Sequence, residues 1–382
     1  MPSLANATMT TPGSRARRGA LLMYVLVLAY ASLNPLVGWQ WPQAFTLFVW
    51  PKYVTSFDVL INTAAYVPLG GLLLVSLRRR AMLRTIHHWQ WLAWFGAVAG
   101  GFCLSVTLEL MQSMLPLRVS SPLDLLANTL GAAIGATGLL LPVGRRTLDA
   151  IISWRSRTFS AEPITDWGLL LLAIWFVAQL NPAIPFFEAG LRAAPAVVDG
   201  TIPIHASAYD PLILLPQVVG VTLNVSAFAL FVSLILHRTK RTLPNVGVVL
   251  TVGVLAKLSM AALLLKAPLI AASLSPATVM GVMAGLVLFV LFSRISHRWR
   301  AFWASVLVFT GGVMAKLSSV YSALDETLRL FNWPYGQLAN FASLTRWLNE
   351  IWPLAALIFL ATIFIRDANH AADMTTQTHR KT

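Results

Sequence analysis

Apolar runs of membrane-spanning length alternate along this chain with short polar connections. A transmembrane helix needs about 20 predominantly apolar residues, and ten stretches approach or exceed that length. The predicted spans are 19–36, 57–77, 92–114, 122–141, 167–185, 211–236, 244–265, 276–293, 301–322 and 351–366. The pattern therefore predicts an all-α fold, a polytopic transmembrane helix bundle of about ten helices.

Composition supports the same class of protein. The 382 residues are 57% hydrophobic and 11% charged, with a mean hydropathy of +0.71, whereas a soluble domain carries about 25% charged residues. The net charge of +14 is divided into short basic blocks between apolar runs, as in the cytoplasmic loops of membrane proteins. We therefore expect membrane lipids as partners and no nucleic acid.

Basic residues follow every second predicted span. Lys and Arg cluster in the N-terminal tail, in the second, fourth, sixth and eighth connections, and in the C-terminal tail. The positive-inside rule places such segments on the cytoplasmic side. Both termini are therefore predicted to be cytoplasmic, in a multi-pass protein of the bacterial inner (plasma) membrane.

The two halves of the chain repeat several local features. The first and fifth spans both end in Leu-Asn-Pro, at Asn34 and Asn181, and Asn62 in the second span matches Asn224 in the sixth. These echoes suggest a diverged duplication, with coincidence of membrane composition as the alternative. The predicted organisation is a cytoplasmic tail (1–18), a four-helix transmembrane domain (19–142), a basic cytoplasmic linker (143–166), a diverged second four-helix unit (167–300), two further helices (301–366) and a cytoplasmic tail (367–382).

Polar residues interrupt the second, third and fourth spans at the same predicted end. Such residues are costly in hydrocarbon and mark functional sites by default. With both termini cytoplasmic, these ends of the second, third and fourth spans are predicted to lie at the outer membrane–water interface. They are Asp58, Asn62, Glu109, Gln112, Arg118, Asp124 and Asn128.

At these positions the sequence resembles the VanZ-like family of bacterial membrane proteins. The family pattern N-x-x-x-[FY]-x-P-L-G begins here at Asn62 and includes Tyr66 and Pro68, and its E-x-x-Q motif begins at Glu109. The third motif, R-x-x-x-x-x-D-x-x-x-N-x-x-G-x-x-x-G, runs from Arg118 to Gly135. The resemblance covers roughly residues 20–142. It implies a role at the cell envelope, in a family named after resistance to the glycopeptide teicoplanin, but it supplies no reaction.

Each acid in this group has a structural and a functional interpretation. Glu109 pairs with Arg118 or binds a cationic head group, or it is a structural acid that bridges helices. Asp124 completes a capping box with Ser121, pairs with Arg118, or takes part directly in chemistry, and these roles can coexist.

The remaining intramembrane polar and small residues have similar pairs of interpretations. Asn62, Gln112 and Asn128 are interhelical hydrogen-bonding groups or ligand contacts. Lys257 and Lys316 lie in mid-span and are secondary candidates that either pair with buried acids or extend to the boundary. Gly131 and Gly135 predict close helix packing, and Pro68 a kink or a hinge.

The sequence does not point to a particular catalytic mechanism. It contains no H-E-x-x-H, Cys/His cluster or G-x-S-x-G motif, so catalytic residues are unknown and no metal or cofactor is expected. We predict a non-enzymatic envelope protein that binds an amphiphilic or lipid-like molecule, or a glycopeptide, at the outer interface. A membrane enzyme acting on a lipid-linked substrate and a transporter are the alternatives, and the oligomeric state is left open.

Overall fold

Helices form the regular secondary structure of the described residues. The structure, a computed structural model, describes residues 12–34, 36–42, 50, 56–77, 87–116, 118–181, 184, 187, 211–237, 241–264, 276–318 and 336–379. Their helices are α1 (Pro12–Leu33), α2 (Ser56–Leu77), α3 (His87–Gln112), α4 (Pro122–Leu140), α5 (Pro142–Thr158), α6 (Pro163–Gln179), α7 (Pro211–Ile235), α8 (Thr242–Leu264), α9 (Pro276–Ser293), α10 (His297–Ser318) and α11 (Gly336–His379).

Seven segments of the described helices are long and apolar enough to cross a membrane. They are Asp58–Leu77, Gln90–Gln112, Pro122–Leu140, Leu215–Ile235, Thr242–Ala262, Pro276–Ser293 and Ser343–His370. Each corresponds to one predicted span, and the other three predicted spans fall on α1, α6 and α10. The all-α helix bundle is confirmed, and the chain is a multi-pass membrane protein; the count of ten spans remains approximate.

The predicted linker contains a helix of its own. All residues of α5 except the first fall within 143–166, and none of them is buried. The helix carries Arg145, Arg146, Arg155 and Arg157. Hydropathy alone passes over this helix because apolar and basic residues alternate with helical periodicity. The chain forms two compact units, Met1–Arg155 and Ser156–Thr382, which divide inside the predicted linker.

In the first unit the four N-terminal helices alternate in direction. The hydroxyl of Tyr24 on α1 donates to the carbonyl oxygen of Ala65 on α2 at 2.8 Å, and Arg17 Nη1 donates to that of Val75 at 3.1 Å. Later residues of α2 therefore contact earlier residues of α1, so the two helices are antiparallel. Consecutive antiparallel helices place the end of α1, the start of α2, the end of α3 and the start of α4 together.

The closest backbone approach in this unit joins the parallel helices α2 and α4. A Cβ on Gly131 would overlap the carbonyl oxygen of Thr63, and one on Gly135 would overlap that of Val67. Gly70 of α2 makes the reciprocal approach to the backbone of Ala132. Small residues permit this distance between transmembrane helices. The two α4 glycines thus lie where α4 and α2 approach most closely.

In the second unit α7 forms the centre of the core. Its half from Val225 to Ile235 is buried throughout, and Trp175 of α6 stacks on Phe228 with ring centroids 3.7 Å apart. Trp352 Nε1 of α11 donates to the carbonyl oxygen of Leu171 on α6 at 2.8 Å. Aromatic stacking and this buried hydrogen bond fix α6 and α11 around the core.

The glycines of α9 pack on α7 much as those of α4 pack on α2. A Cβ on Gly281 would lie 2.9 Å from the carbonyl oxygen of Val218 and 2.6 Å from Val221 Cβ. Gly131 approaches the carbonyl oxygen of Thr63 and Tyr66 Cβ in the same way. If Thr63 is aligned with Val218 on the basis of these contacts, Asn62 aligns with Gln217. The repeat seen in the sequence instead aligns Asn62 with Asn224, seven residues further on. The duplication itself remains a prediction.

Replacing Gly135 with Ala should destabilise the protein, because the added methyl group overlaps the Val67 carbonyl and α2 has to move. Overpacking of this kind costs about 1–3 kcal/mol. Gly138→Ala is the matched control, since a Cβ there meets nothing within 4 Å and Ala favours helix by up to about 1 kcal/mol. Thermal unfolding of the purified chain in detergent measures both. Equal midpoints for the two variants would contradict the packing described here.

Candidate functional site

The predicted polar residues lie at one end of the first unit. We call Asp58, Asn62, Glu109, Gln112, Arg118, Asp124 and Asn128 the polar cluster. The end of α3, the connection to α4 and the first turns of α4 supply five of its members, and the start of α2 supplies the other two. This placement follows from the alternating helix directions.

Ser121 caps α4, but a residue of α3 completes the cap. Ser121 Oγ accepts from the amide of Leu123 at 3.1 Å, and Pro122 occupies the first helical position. In a capping box the acid three residues on would accept the N–H of Ser121. Here Glu109 Oε2 accepts it at 3.0 Å, and Glu109 is only 3% exposed. Glu109 thus bridges α3 to the start of α4, as the structural interpretation of this acid predicts.

Because Glu109 takes this position, Asp124 is turned toward α2. Asn62 Nδ2 donates to Asp124 Oδ1 at 2.7 Å, a bond that joins α2 to α4. Asp124 also lies within electrostatic range of Asp58 and Glu109. Asp58 itself is half-buried in the first turn of α2, where the helix dipole favours an acid. The three acids therefore act on one another at this end of the unit.

Arg118 stabilises the end of α1 instead of pairing with an acid. Its Nε donates to the carbonyl oxygen of Asn34 at 2.9 Å and its Nη2 to that of Ala31 at 3.2 Å. Among the described residues no ion pair joins Arg118 to Glu109 or Asp124, which were the predicted partners. The physical reason is the sequence of α1: the residue four positions after Ala31 is Pro35, which has no amide hydrogen to give that carbonyl.

Burial also acts on the guanidinium. It lowers the pKa of Arg118 below its ordinary value, although arginine stays protonated in proteins. Gln112 reinforces the same contact, since its Nε2 donates to the carbonyl oxygen of Ser32 at 2.9 Å. Arg118 and Gln112 together fix the end of α1 against the polar cluster.

A second layer of polar groups lies one helical turn deeper. Asn128 Nδ2, on α4, donates to Ser105 Oγ, on α3, at 2.9 Å, and both residues are buried. The hydroxyl of Tyr66 and Asn128 Oδ1 are buried and make no hydrogen bond among the described residues. Ser105 was missed by sequence reasoning, although it precedes Glu109 by four residues and so shares its helix face.

The three predicted amides all make interhelical hydrogen bonds. Asn62 joins α2 to α4, Gln112 joins α3 to α1, and Asn128 joins α4 to α3. Pro68 lies inside α2, which continues through it to Leu77; its role as kink or hinge remains a prediction. Within the described part of the chain, no group of three or more His, Cys, Asp or Glu residues is placed to bind a metal ion.

The secondary candidates lie in the other unit. Lys257 is 2% exposed, and its Nζ donates to the carbonyl oxygens of Asn181 at 2.9 Å and Gln179 at 3.4 Å. Carbonyl oxygens at the end of α6 are therefore among the partners of this lysine, where the sequence suggested buried acids such as Glu109. Lys316 falls in the last turn of α10, and its side chain lies outside the described residues.

Substitutions at Glu109 separate its hydrogen bond from its charge. Glu109→Gln keeps an oxygen that can accept the Ser121 amide, so we expect an unfolding midpoint close to that of the wild type. Glu109→Leu leaves this buried N–H unsatisfied, which costs about 1–3 kcal/mol. Thermal unfolding in detergent compares the two. A Gln variant as unstable as the Leu variant would show that the bond to Ser121 is not what Glu109 contributes.

Comparison with known proteins identifies the first unit. Residues 7–142 match the model of the VanZ/LLP1 family, and these residues include the whole polar cluster and helices α1 to α4. No curated protein and no solved structure matches the chain. The resemblance found in the sequence is thereby confirmed for this part of the chain: residues 7–142 are similar to the VanZ/LLP1 family.

Proposed function

We propose that this protein binds an amphiphilic or lipid-like molecule at the outer membrane–water interface of the bacterial inner membrane. By doing so it affects envelope composition or susceptibility to glycopeptide-type antibiotics. No chemical step is part of the proposal. The polar cluster holds the head group of the ligand, while the apolar tail lies along the lipid-facing helices.

The observation that carries the proposal is the state of Glu109. Its side chain is 3% exposed, yet only one of its oxygens has a hydrogen-bond donor among the described residues. A carboxylate in a transmembrane helix is costly and marks a functional site by default. The other oxygen is not a buried atom without a partner, so it reaches the surface of the unit, where a ligand can contact it.

The depth of the polar cluster suits a head group. Glu109 lies three residues before the end of α3, and Asp124 lies in the first turn of α4. The 19 residues of α4 span about 28 Å at 1.5 Å per residue, and the arginines of α5 follow at the opposite end. If these arginines face the cytoplasm, the polar cluster lies at the outer interface.

Cysteine accessibility tests this orientation. Val119, in the connection beside Arg118, is 76% exposed, and Asp149 of α5 is also exposed. In a Cys103→Ala background, Val119→Cys should react with a membrane-impermeant maleimide in intact spheroplasts. Asp149→Cys should react only after the membrane is permeabilised. The reverse pattern would place the polar cluster on the cytoplasmic side and contradict the proposal.

Loss of the Glu109 charge should abolish the envelope phenotype of the protein. A deletion strain of the source bacterium is complemented with wild type, with Glu109→Gln or with Asp149→Asn, which removes one exposed acid outside the cluster. Glycopeptide susceptibility and envelope lipid composition are measured beside the amount of protein in the membrane. We expect Asp149→Asn to complement and Glu109→Gln to fail at equal abundance. Full complementation by Glu109→Gln would reject the site.

A membrane enzyme is the second candidate, and one observation favours it. Asp124 lies within electrostatic range of Glu109, and two interacting carboxyl groups can act as general acid and base. The same strains distinguish the two functions. Accumulation of one lipid or lipid-linked precursor, together with loss of its product, would indicate turnover in place of binding.

A further inference from the structure

The cation of the polar cluster is already engaged in structure. Both described hydrogen bonds of the Arg118 side chain go to the carbonyl oxygens of Asn34 and Ala31 at the end of α1. These bonds use two of the five N–H donors of the guanidinium. Among the described residues, Arg118 therefore makes no direct ion pair that would neutralise Glu109 or Asp124.

The groups that remain open in the cluster are acceptors. One oxygen of Glu109 and one of Asp124 have no hydrogen-bond donor among the described residues, since each acid receives a single bond through the other oxygen. Their charges act on each other, and Asp58 adds a third. Among the described residues at this end of the unit, three acids and one arginine thus give a formal excess of negative charge.

Two buried polar atoms lie in the layer below. Tyr66 is 3% exposed and Asn128 is 6% exposed. Asn128 Oδ1 makes no hydrogen bond among the described residues, and the Tyr66 hydroxyl lies near Ser105 without a well-formed bond to it. Both belong to the side of the cluster that faces Glu109: Tyr66 lies within electrostatic range of that acid, and Asn128 bonds Ser105 one turn below it. Buried polar atoms without partners are rare in native proteins and call for an explanation.

We propose that the ligand of the polar cluster is an amphiphile whose head group carries a primary ammonium. This inference rests on the proposed function and specifies its substrate class. A primary ammonium brings a positive charge for Glu109 and Asp124 and three N–H donors for their open oxygens and for the acceptors of the deeper layer. A quaternary ammonium has the positive charge but no N–H donor for these oxygens. A head group with a net negative charge is repelled by the three acids of the polar cluster.

Three lipids that differ only in the terminal head group test the proposal. The full chain, purified in detergent, is titrated with dioctanoyl phosphatidylethanolamine, phosphatidylcholine or phosphatidylglycerol, and bound lipid is counted by native mass spectrometry. All three share the phosphate and the acyl chains. We expect the ethanolamine lipid to bind about tenfold or more tightly than the other two, the difference that one charge-assisted hydrogen bond provides. Equal binding of all three would overturn the ammonium.

Variants locate the binding and separate it from folding. Glu109→Gln and Asp124→Asn should each weaken the ethanolamine lipid about tenfold and so reduce its preference over the other two lipids, whereas the control Asp149→Asn should change nothing. Tyr66→Phe removes a hydroxyl whose one close polar neighbour is Ser105 and which makes no well-formed hydrogen bond to it, so the unfolding midpoint should fall little while binding of the ethanolamine lipid weakens. Wild-type binding by Tyr66→Phe and Glu109→Gln together would overturn the site.

Two further outcomes distinguish this inference from the function on which it rests. Tighter, Glu109-dependent binding of phosphatidylglycerol or phosphatidylcholine would reject the ammonium and leave an amphiphile site in place. No Glu109-dependent binding of any lipid would reject both. Soluble phosphoethanolamine is the last arm: we expect it to compete poorly because it lacks the acyl chains. Equal affinity of the soluble compound would support the ammonium but contradict an amphiphilic ligand.

Discussion

Backbone groups at the ends of membrane helices have to be satisfied without the help of bulk water, and the first unit depends on this constraint. The last carbonyls of a helix and its first amides have no partner within the helix, and each unsatisfied group in apolar surroundings costs several kcal/mol. Arg118 and Gln112 satisfy the end of α1, and Glu109 satisfies the start of α4. These polar side chains thus provide hydrogen-bond partners for backbone groups at the helix ends.

The second unit meets the same constraint with a different cation. Asn34 and Asn181 are the asparagines of the two Leu-Asn-Pro sequences, and a basic side chain donates to the carbonyl oxygen of each one. In the first unit the base is Arg118 in a connection; in the second it is Lys257 within a helix. In the first unit Pro35 has no amide hydrogen for the carbonyl of Ala31, and Arg118 supplies one. In the second unit the amide of Asn181 serves the carbonyl of Ala178, and Lys257 donates to the later carbonyls of Gln179 and Asn181.

Local rules predicted much of this arrangement from the sequence. Ser121 with Pro122 indicated the cap of α4, and the spacing of Gly131 and Gly135 indicated close packing, because both depend on neighbours along one helix. Pairing of Arg118 with Glu109 or Asp124 was one of the alternatives that charge suggested, and in the described part of the chain its side chain donates to carbonyls of α1 and the residue after it. The buried layer of Ser105 and Tyr66 also escaped prediction. Serine and tyrosine are ordinary in apolar helices, and only the three-dimensional packing shows which of them lack partners.

The connection between α3 and α4 has two fixed points. Arg118 reaches back to α1, and three residues later the amide of Ser121 reaches Glu109. Each residue inserted or deleted between them would displace one point from the other by up to about 3.5 Å, more than a hydrogen bond can absorb. Length variation among relatives should therefore spare this short interval.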